Sequence, residues 1–128
     1  ETLFAAYVDE ENVADQSVYI ARIKDKSYDP KYLLALLNSR LLTWYFRVKA
    51  NEFDDLFPQI KVTEFKSLPI KNVSTQQPFI ALVDQILAAK QRGPAADTRA
   101  LEAELDRLVY ALYGLTEDEI TIVEGNVA

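Results

Sequence analysis

The chain has 128 residues, 49% of them hydrophobic and 27% charged, which suits a single folded domain with one core. It contains no cysteine and no histidine, which excludes disulfides, thiol chemistry and the usual general base near neutral pH. The formal net charge is −6. This acidity argues against DNA binding over the whole surface, because phosphate contacts need clustered Lys or Arg.

The hydropathy of the chain and its first residue indicate its location and whether it is part of a longer protein. No segment resembles a signal peptide, and no apolar run approaches the ~20 residues that cross a membrane, so we expect a cytoplasmic protein. The chain begins at Glu1 and contains no methionine, so we also expect it to be a piece of a longer protein.

Charge is distributed unevenly. Residues 20–71 hold ten Lys or Arg against six Asp or Glu, while the acidic excess lies in residues 1–19 and 97–124. The middle of the chain is therefore mildly basic, as expected of a DNA-facing segment attached to an acidic helical tail.

Three segments have the composition of β-strands. Residues 2–8 and 59–62 are rich in residues that favour strands, and a polar turn follows the first of them. Residues 17–23 are apolar on both faces, which predicts an interior strand covered on two sides.

The central segment has the 3.6-residue period of a helix. Asp29 and Pro30 form a typical helix start, and apolar residues then recur at helical spacing as far as Val48. Asn38 and Ser39 interrupt the pattern, because their side chains compete for backbone hydrogen bonds. The segment is therefore one bent helix or two helices joined there. Residues 49–56 lack a clear period and are predicted to form a loop.

The last third of the chain predicts two amphipathic helices. Ser74 and Gln77 have the spacing of a capping box before the first helix, and Gly93-Pro94 ends it. Asp97 or Thr98 begins the second helix. Their apolar faces consist of Phe79, Leu82, Val83, Ile86 and Leu87 in the first, and Leu101, Leu105, Leu108, Val109 and Leu112 in the second.

Local signals also predict how the chain ends. Gly114 is the expected C-cap of the second helix. Thr116 and Glu119 form another capping-box pattern, which opens a last short helix through Val123. We expect an α/β (α+β) fold in which a small mixed sheet carries the central helix and the two longer helices form an antiparallel hairpin.

Two motifs resemble a known family. Leu37-Asn38-Ser39 lies in a leucine-rich helix, and Leu68-Pro69-Ile70 precedes a long helix. In this order and separation they resemble the C-terminal specificity (target-recognition) domain of TaqI-like and type IIG restriction-modification enzymes. The S subunits of type I restriction enzymes are similar. The resemblance covers roughly residues 15–113.

The resemblance implies a DNA target-recognition fragment of a restriction-modification N6-adenine DNA methyltransferase. Residues 1–73 would be the C-terminal part of the recognition domain, and residues 74–128 a helical spacer packed on it. The fragment would have no activity and no cofactor of its own. It would position double-stranded DNA for an upstream catalytic domain of the same chain that uses S-adenosylmethionine.

Side chains in the basic middle are the candidates for DNA contact. Arg47 has the geometry to pair with guanine, and Asn51 and Gln59 with adenine. The candidates for phosphate contact are the lysines Lys24, Lys26, Lys49, Lys61 and Lys66.

Other notable residues are better explained by structure. For Asn38 and Ser39 a local hydrogen bond or helix cap is favoured over base reading, and Trp44-Tyr45-Phe46 is favoured as core over a stacking platform. Pro69 is expected to direct the chain toward the spacer. The acidic cluster Glu52, Asp54 and Asp55 lacks the spacing of a calcium loop, so no metal site is predicted.

Two other functions remain open. The leucine faces of the last two long helices could form a helix-mediated oligomer, making the chain a protein-interaction or spacer module without DNA contact. An enzyme is disfavoured, because histidine, cysteine and a glycine-rich cofactor loop are all absent.

Overall fold

The computed structural model describes residues 5–6, 24–53 and 68–127. Within these residues the secondary structure consists of five helices. They are α1 (Pro30–Leu37), α2 (Arg40–Phe53), α3 (Gln77–Arg92), α4 (Arg99–Leu112) and α5 (Glu117–Val127). No helix in the described part of the chain combines the length and the low polarity needed to cross a membrane.

The predicted α/β fold is wrong, because the described residues form helices and contain no strand. The central segment does not rest on a sheet there. Instead α1 packs against α3, and α2 packs against α4 and α5. The C-terminal helices therefore supply the apolar surface that the sheet was expected to provide. Apart from residues 5–6, the three predicted strands lie outside the described residues.

The break at Asn38 and Ser39 separates two helices. Asp29 caps α1 by accepting the Lys31 backbone N–H at 2.8 Å, and Pro30 occupies the first turn, as predicted. Ser39 begins α2: its hydroxyl accepts the Leu42 N–H at 3.2 Å and donates to the Leu36 carbonyl at 2.7 Å. Of the two alternatives, the structure shows two joined helices rather than one bent helix.

Helix α2 is longer than the sequence pattern predicts. It continues to Phe53, through residues that were expected to form a loop. Residues 49–53 contain neither Gly nor Pro. Adding residues to an existing helix is much easier than nucleating one, so the helix extends despite the weak period.

The capping-box prediction for the start of α3 is wrong. The helix begins at Gln77, with Gln76 at the N-cap position and no side-chain cap. Pro78 explains the difference, since a proline fits the first helical turn, whereas a helix capped by Ser74 would place it beyond that turn.

The end of α3, both ends of α4 and the start of α5 agree with the local signals, whereas α5 continues to Val127 beyond the predicted end at Val123. Helix α3 stops at Gly93, and Thr98 precedes α4. This short connection and the packing of α3 on α4 form the helical hairpin. Gly114 adopts a left-handed φ of 68°, and its N–H and that of Leu115 bond back into α4, which is a Schellman end. Helix α5 opens with the Thr116–Glu119 box, whose two bonds measure 2.8 and 3.3 Å.

One core joins all five helices. The largest fully buried side chains are those of Tyr32, Leu36, Leu42 and Val109. The Tyr32 and Phe79 rings meet edge to face with their centroids 5.2 Å apart. The other buried members are Ala35, Leu41, Val83, Leu105, Tyr110 and Val123. Each buried leucine-class side chain contributes about 1.5–3 kcal/mol, so this core dominates the stability of the described part.

Candidate nucleic-acid interface

The structure describes four of the eight candidate DNA-contacting side chains. Lys24 and Lys26 are exposed on the turn before α1. Arg47 and Lys49 are half-buried on α2. The candidates thus form two pairs on different elements. Asn51 lies in α2 but its side chain is not described, and Gln59, Lys61 and Lys66 lie outside the described residues.

In the turn before α1, Asp25 is hydrogen-bonded, whereas the two lysines of the turn have no partner among the described residues. The Asp25 carboxylate accepts the Ser27 N–H at 2.9 Å and the Ser27 hydroxyl at 2.7 Å. These bonds lower the pKa of Asp25 below its ordinary value. In the described part of the chain, Lys24 and Lys26 have no hydrogen-bond or ion-pair partner.

The pair on α2 is less available for DNA contact. The Lys49 ammonium lies over the Tyr45 ring, 5.8 Å from its centroid, which is a cation–π distance. Arg47 also interacts within the protein. A DNA phosphate would therefore compete with existing contacts at both side chains.

Lys26 lines an open cleft of about 670 Å³ between residues 26–30 and residues 74–80. We call this the polar cleft, because eight of its ten lining residues carry a hydroxyl, amide or charged side chain. Its lining residues are Lys26, Ser27, Tyr28, Asp29, Pro30, Ser74, Thr75, Gln76, Gln77 and Ile80.

Gln76 holds the two sides of the polar cleft together. Its side-chain oxygen accepts the Asp29 N–H at 2.9 Å, and its side-chain nitrogen donates to the Ser27 carbonyl at 2.7 Å and the Val73 carbonyl at 3.1 Å. The role of Gln76 was not predicted, because its partners lie up to 49 positions away in the sequence.

Asn38 binds the backbone near the N-terminus of the chain. Its side-chain oxygen accepts the Ala5 N–H at 2.7 Å, and its nitrogen donates to the Ala5 carbonyl at 2.8 Å. Ser39 caps α2, as predicted. Asn38 occupies the C-cap position of α1, but its side-chain bond to Ala5 spans 33 positions and joins no second helix, so the expected local hydrogen bond is not what its side chain makes.

The Leu68-Pro69-Ile70 motif is fixed between α2 and the end of α4. Leu68 is buried against Phe46 of α2. The Tyr113 hydroxyl donates to the Pro69 carbonyl at 2.6 Å and accepts the Lys71 N–H at 3.1 Å. These contacts fix the backbone of the motif, and the role of the Pro69 ring in directing the chain stays a prediction. Tyr113 was not identified from the sequence, because no local pattern distinguishes it from other aromatic residues near a helix end.

Lys71 and Tyr32 complete this attachment. The Lys71 ammonium donates to the Leu112 carbonyl at the end of α4 at 3.0 Å, and the Tyr32 hydroxyl donates to the Lys71 carbonyl at 2.5 Å. Burial raises the pKa of Tyr32 to about 12. Lys71 is therefore used within the fold.

A second, more apolar groove of about 690 Å³ lies among α1, α3, α4 and residues 5–6. Arg40 at its edge joins three helices. Its backbone N–H donates to Asp106 at 3.0 Å, and its guanidinium lies 3.6 Å from Asp106 and 3.8 Å from Glu124. Burial raises the pKa of Asp106 despite the bond from Arg40.

The aromatic run on α2 packs rather than faces solvent. Phe46 is buried, and Tyr45 packs beside it in a small cluster with Leu68. Trp44 packs against the main core. The core interpretation of these three rings is therefore confirmed.

The described residues contain no group of three or more acidic side chains that could hold a metal ion. Of the acidic cluster, Glu52 lies in α2 but its side chain is not described, and Asp54 and Asp55 lie outside the described residues.

Comparison with known proteins identifies a family. The family model of the TaqI-like C-terminal specificity domain matches residues 1–70, more than half of the chain. The matched region includes both motifs, Leu37-Asn38-Ser39 and Leu68-Pro69-Ile70. No curated protein and no solved structure matches the chain.

Proposed function

Because this chain belongs to the TaqI-like C-terminal specificity domain family, we propose that it recognises the DNA target of a restriction-modification N6-adenine methyltransferase. The family match over residues 1–70 is the observation that carries the proposal. The parent enzyme would be cytoplasmic, and its catalytic domain would lie upstream and bind S-adenosylmethionine.

The proposed mechanism is positioning. Lysine and arginine side chains would hold the DNA backbone, and a few loop side chains would read the base edges. The upstream domain would then take the adenine out of the stack and methylate it. This chain would contribute binding energy and orientation, and none of the chemical step.

The two predicted regions would act as one body. Residues 1–73 would contribute the recognition surface, and residues 74–128 would support it as a spacer. The shared core supports their acting as one body: Tyr32 of α1 is buried against Phe79 of α3, and Val109 of α4 belongs to the same cluster. A recognition surface on the first region would therefore rest on a rigid base.

The competing function, an oligomerisation module, has less support from the described residues. The apolar faces of α3 and α4 are used within the chain, where Phe79, Val83 and Val109 are buried. The large apolar side chains that remain exposed in the described part are Val48 and Ile122, on α2 and α5. Two separate side chains are much less than an oligomer interface requires.

Selection from a random duplex library tests target recognition. We expect repeated capture by the immobilised chain at low salt to enrich duplexes that share a short sequence, and a duplex with that sequence altered to bind more weakly. Bound duplexes without a common sequence would contradict target reading by this chain. Sedimentation in parallel would detect the alternative function as a size that increases with protein concentration.

A further inference from the structure

Most cationic side chains in the described residues already have partners. Those in ion pairs are Lys31 with Asp84, Arg40 with Asp106 and Glu124, Arg99 with Asp97, and Arg107 with Glu104. Those in other contacts are Lys71 and Lys90 with backbone carbonyls, Lys49 with a ring, and Arg47. In this part of the chain, Lys24, Lys26 and Arg92 are left without a partner.

The polar cleft has hydrogen-bond donors without partners, whereas the Asp29 carboxylate and the Gln76 side-chain amide in its wall are already hydrogen-bonded. The Asp29 carboxylate accepts the Lys31 N–H, and the Gln76 amide bonds to Asp29, Ser27 and Val73. By contrast, five polar lining side chains have no hydrogen-bond partner among the described residues: Lys26, Tyr28, Ser74, Thr75 and Gln77. One is a cation, and the other four can donate through hydroxyl or amide groups.

A surface with unused donors and one unpaired cation suits a ligand that is rich in acceptors and negatively charged. The sugar–phosphate backbone of DNA has this chemistry. We propose that the polar cleft binds the DNA backbone, with Lys26 contacting a phosphate and Ser74, Thr75 and Gln77 donating to phosphate or sugar oxygens. Lys24, on the same turn, adds a second positive charge. This inference rests on the proposed function, because it specifies where the chain holds DNA.

The bracing of the cleft supports the inference. Gln76 fixes the turn that carries Lys26 against the segment that carries Ser74 and Thr75. Asn72 adds a bond of 3.0 Å from its side-chain nitrogen to the Ser27 hydroxyl. The unused donors are thus held on a preformed surface, which lowers the entropy lost when a ligand binds.

The test compares Lys26→Ala with Arg92→Ala, which removes the same charge from an unpaired cation outside the cleft. Binding of labelled duplex DNA is measured by fluorescence anisotropy over a range of salt concentrations. We expect Lys26→Ala to weaken binding and to reduce the slope of log K against log salt by about 0.9, the value for one lost phosphate contact. Arg92→Ala should leave the slope unchanged.

The double variant Ser74→Ala with Thr75→Ala separates hydrogen bonding from charge. We expect it to weaken binding without changing the salt slope, because no charge is removed. Thermal unfolding of each variant checks that the fold is intact. If wild-type protein binds DNA but Lys26→Ala and Arg92→Ala have equal effects, the cleft is not the site and the proposed function stands. If wild-type protein does not bind DNA, both proposals are overturned.

Discussion

Single side chains with distant partners hold the segments of this chain together. Gln76 joins the turn before α1 to the start of α3, and Tyr113 joins the end of α4 to Pro69 and Lys71. Asn38 joins α1 to Ala5. These bonds use polar groups at helix ends and turns, where the backbone has unpaired donors and acceptors.

Replacing Gln76 tests this bracing. We expect Gln76→Ala to lower the free energy of unfolding by about 1–3 kcal/mol, because it removes three hydrogen bonds of 2.7–3.1 Å worth about 1 kcal/mol each, besides a longer one to Asn72. Gln77→Ala is the matched control, since the neighbouring exposed glutamine has no partner in the described structure. Urea unfolding measures the stability of both variants. Equal unfolding midpoints would show that Gln76 does not brace the fold.

Alkaline pH tests the burial of Tyr32. Its pKa in the folded protein is raised from 10.0 to about 12, so above pH 10 the unfolded chain loses a proton that the folded chain keeps. Stability should therefore fall as the pH rises from about 10 toward 12. We expect Tyr32→Phe to make this fall less steep in urea unfolding at several pH values. An unchanged pH dependence in the variant would be inconsistent with a buried Tyr32 hydroxyl.

At the scale of whole helices, local sequence signals set most of the boundaries. Asp29-Pro30, Gly93-Pro94 and the Thr116–Glu119 box act through neighbouring residues, so they can be predicted without the fold. Three boundaries were not predicted correctly in this way. The capping box at Ser74 matched a pattern that Pro78 overrides, the end of α2 has no breaking residue to mark it, and α5 continues past Val123 to Val127.

Gly114 offers a direct test of a helix end. We expect Gly114→Ala to destabilise the protein by about 1–2 kcal/mol, because alanine is strained at a φ of 68°. Gly93→Ala is the matched control: Gly93 has an extended backbone, and a methyl group at either position would meet no atom within 4 Å. Thermal unfolding compares the two, and an equal loss of stability would show that backbone conformation is not the cause.

At the scale of the whole molecule, the apolar faces were predictable but their partners were not. The periodicity correctly indicates helices over α1, α3 and α4, and it places Val83, Leu105 and Val109 among buried residues. It does not specify whether a helix packs on a sheet or on other helices, because both surfaces are apolar. The expected sheet is therefore the main error, and the helix-on-helix core the main correction.

Only part of the candidate site could be predicted from the sequence. Lys24 and Lys26 were identifiable as lysines in a polar turn, and the structure places Lys26 on a cleft. The opposite wall, at Ser74 and Thr75, is 48 or more positions further along the chain than Lys26. Its approach to Lys26 depends on the packing of α1 against α3, which no local pattern encodes.

Salt-dependent binding of duplex DNA tests the central proposal most directly. Fluorescence anisotropy of a labelled duplex would be titrated with the chain at about 50 mM and about 200 mM salt, the range over which phosphate contacts show their salt dependence. We predict measurable binding at the lower salt that weakens strongly at the higher salt. Absence of binding at the lower salt would contradict a DNA-recognition role for this chain.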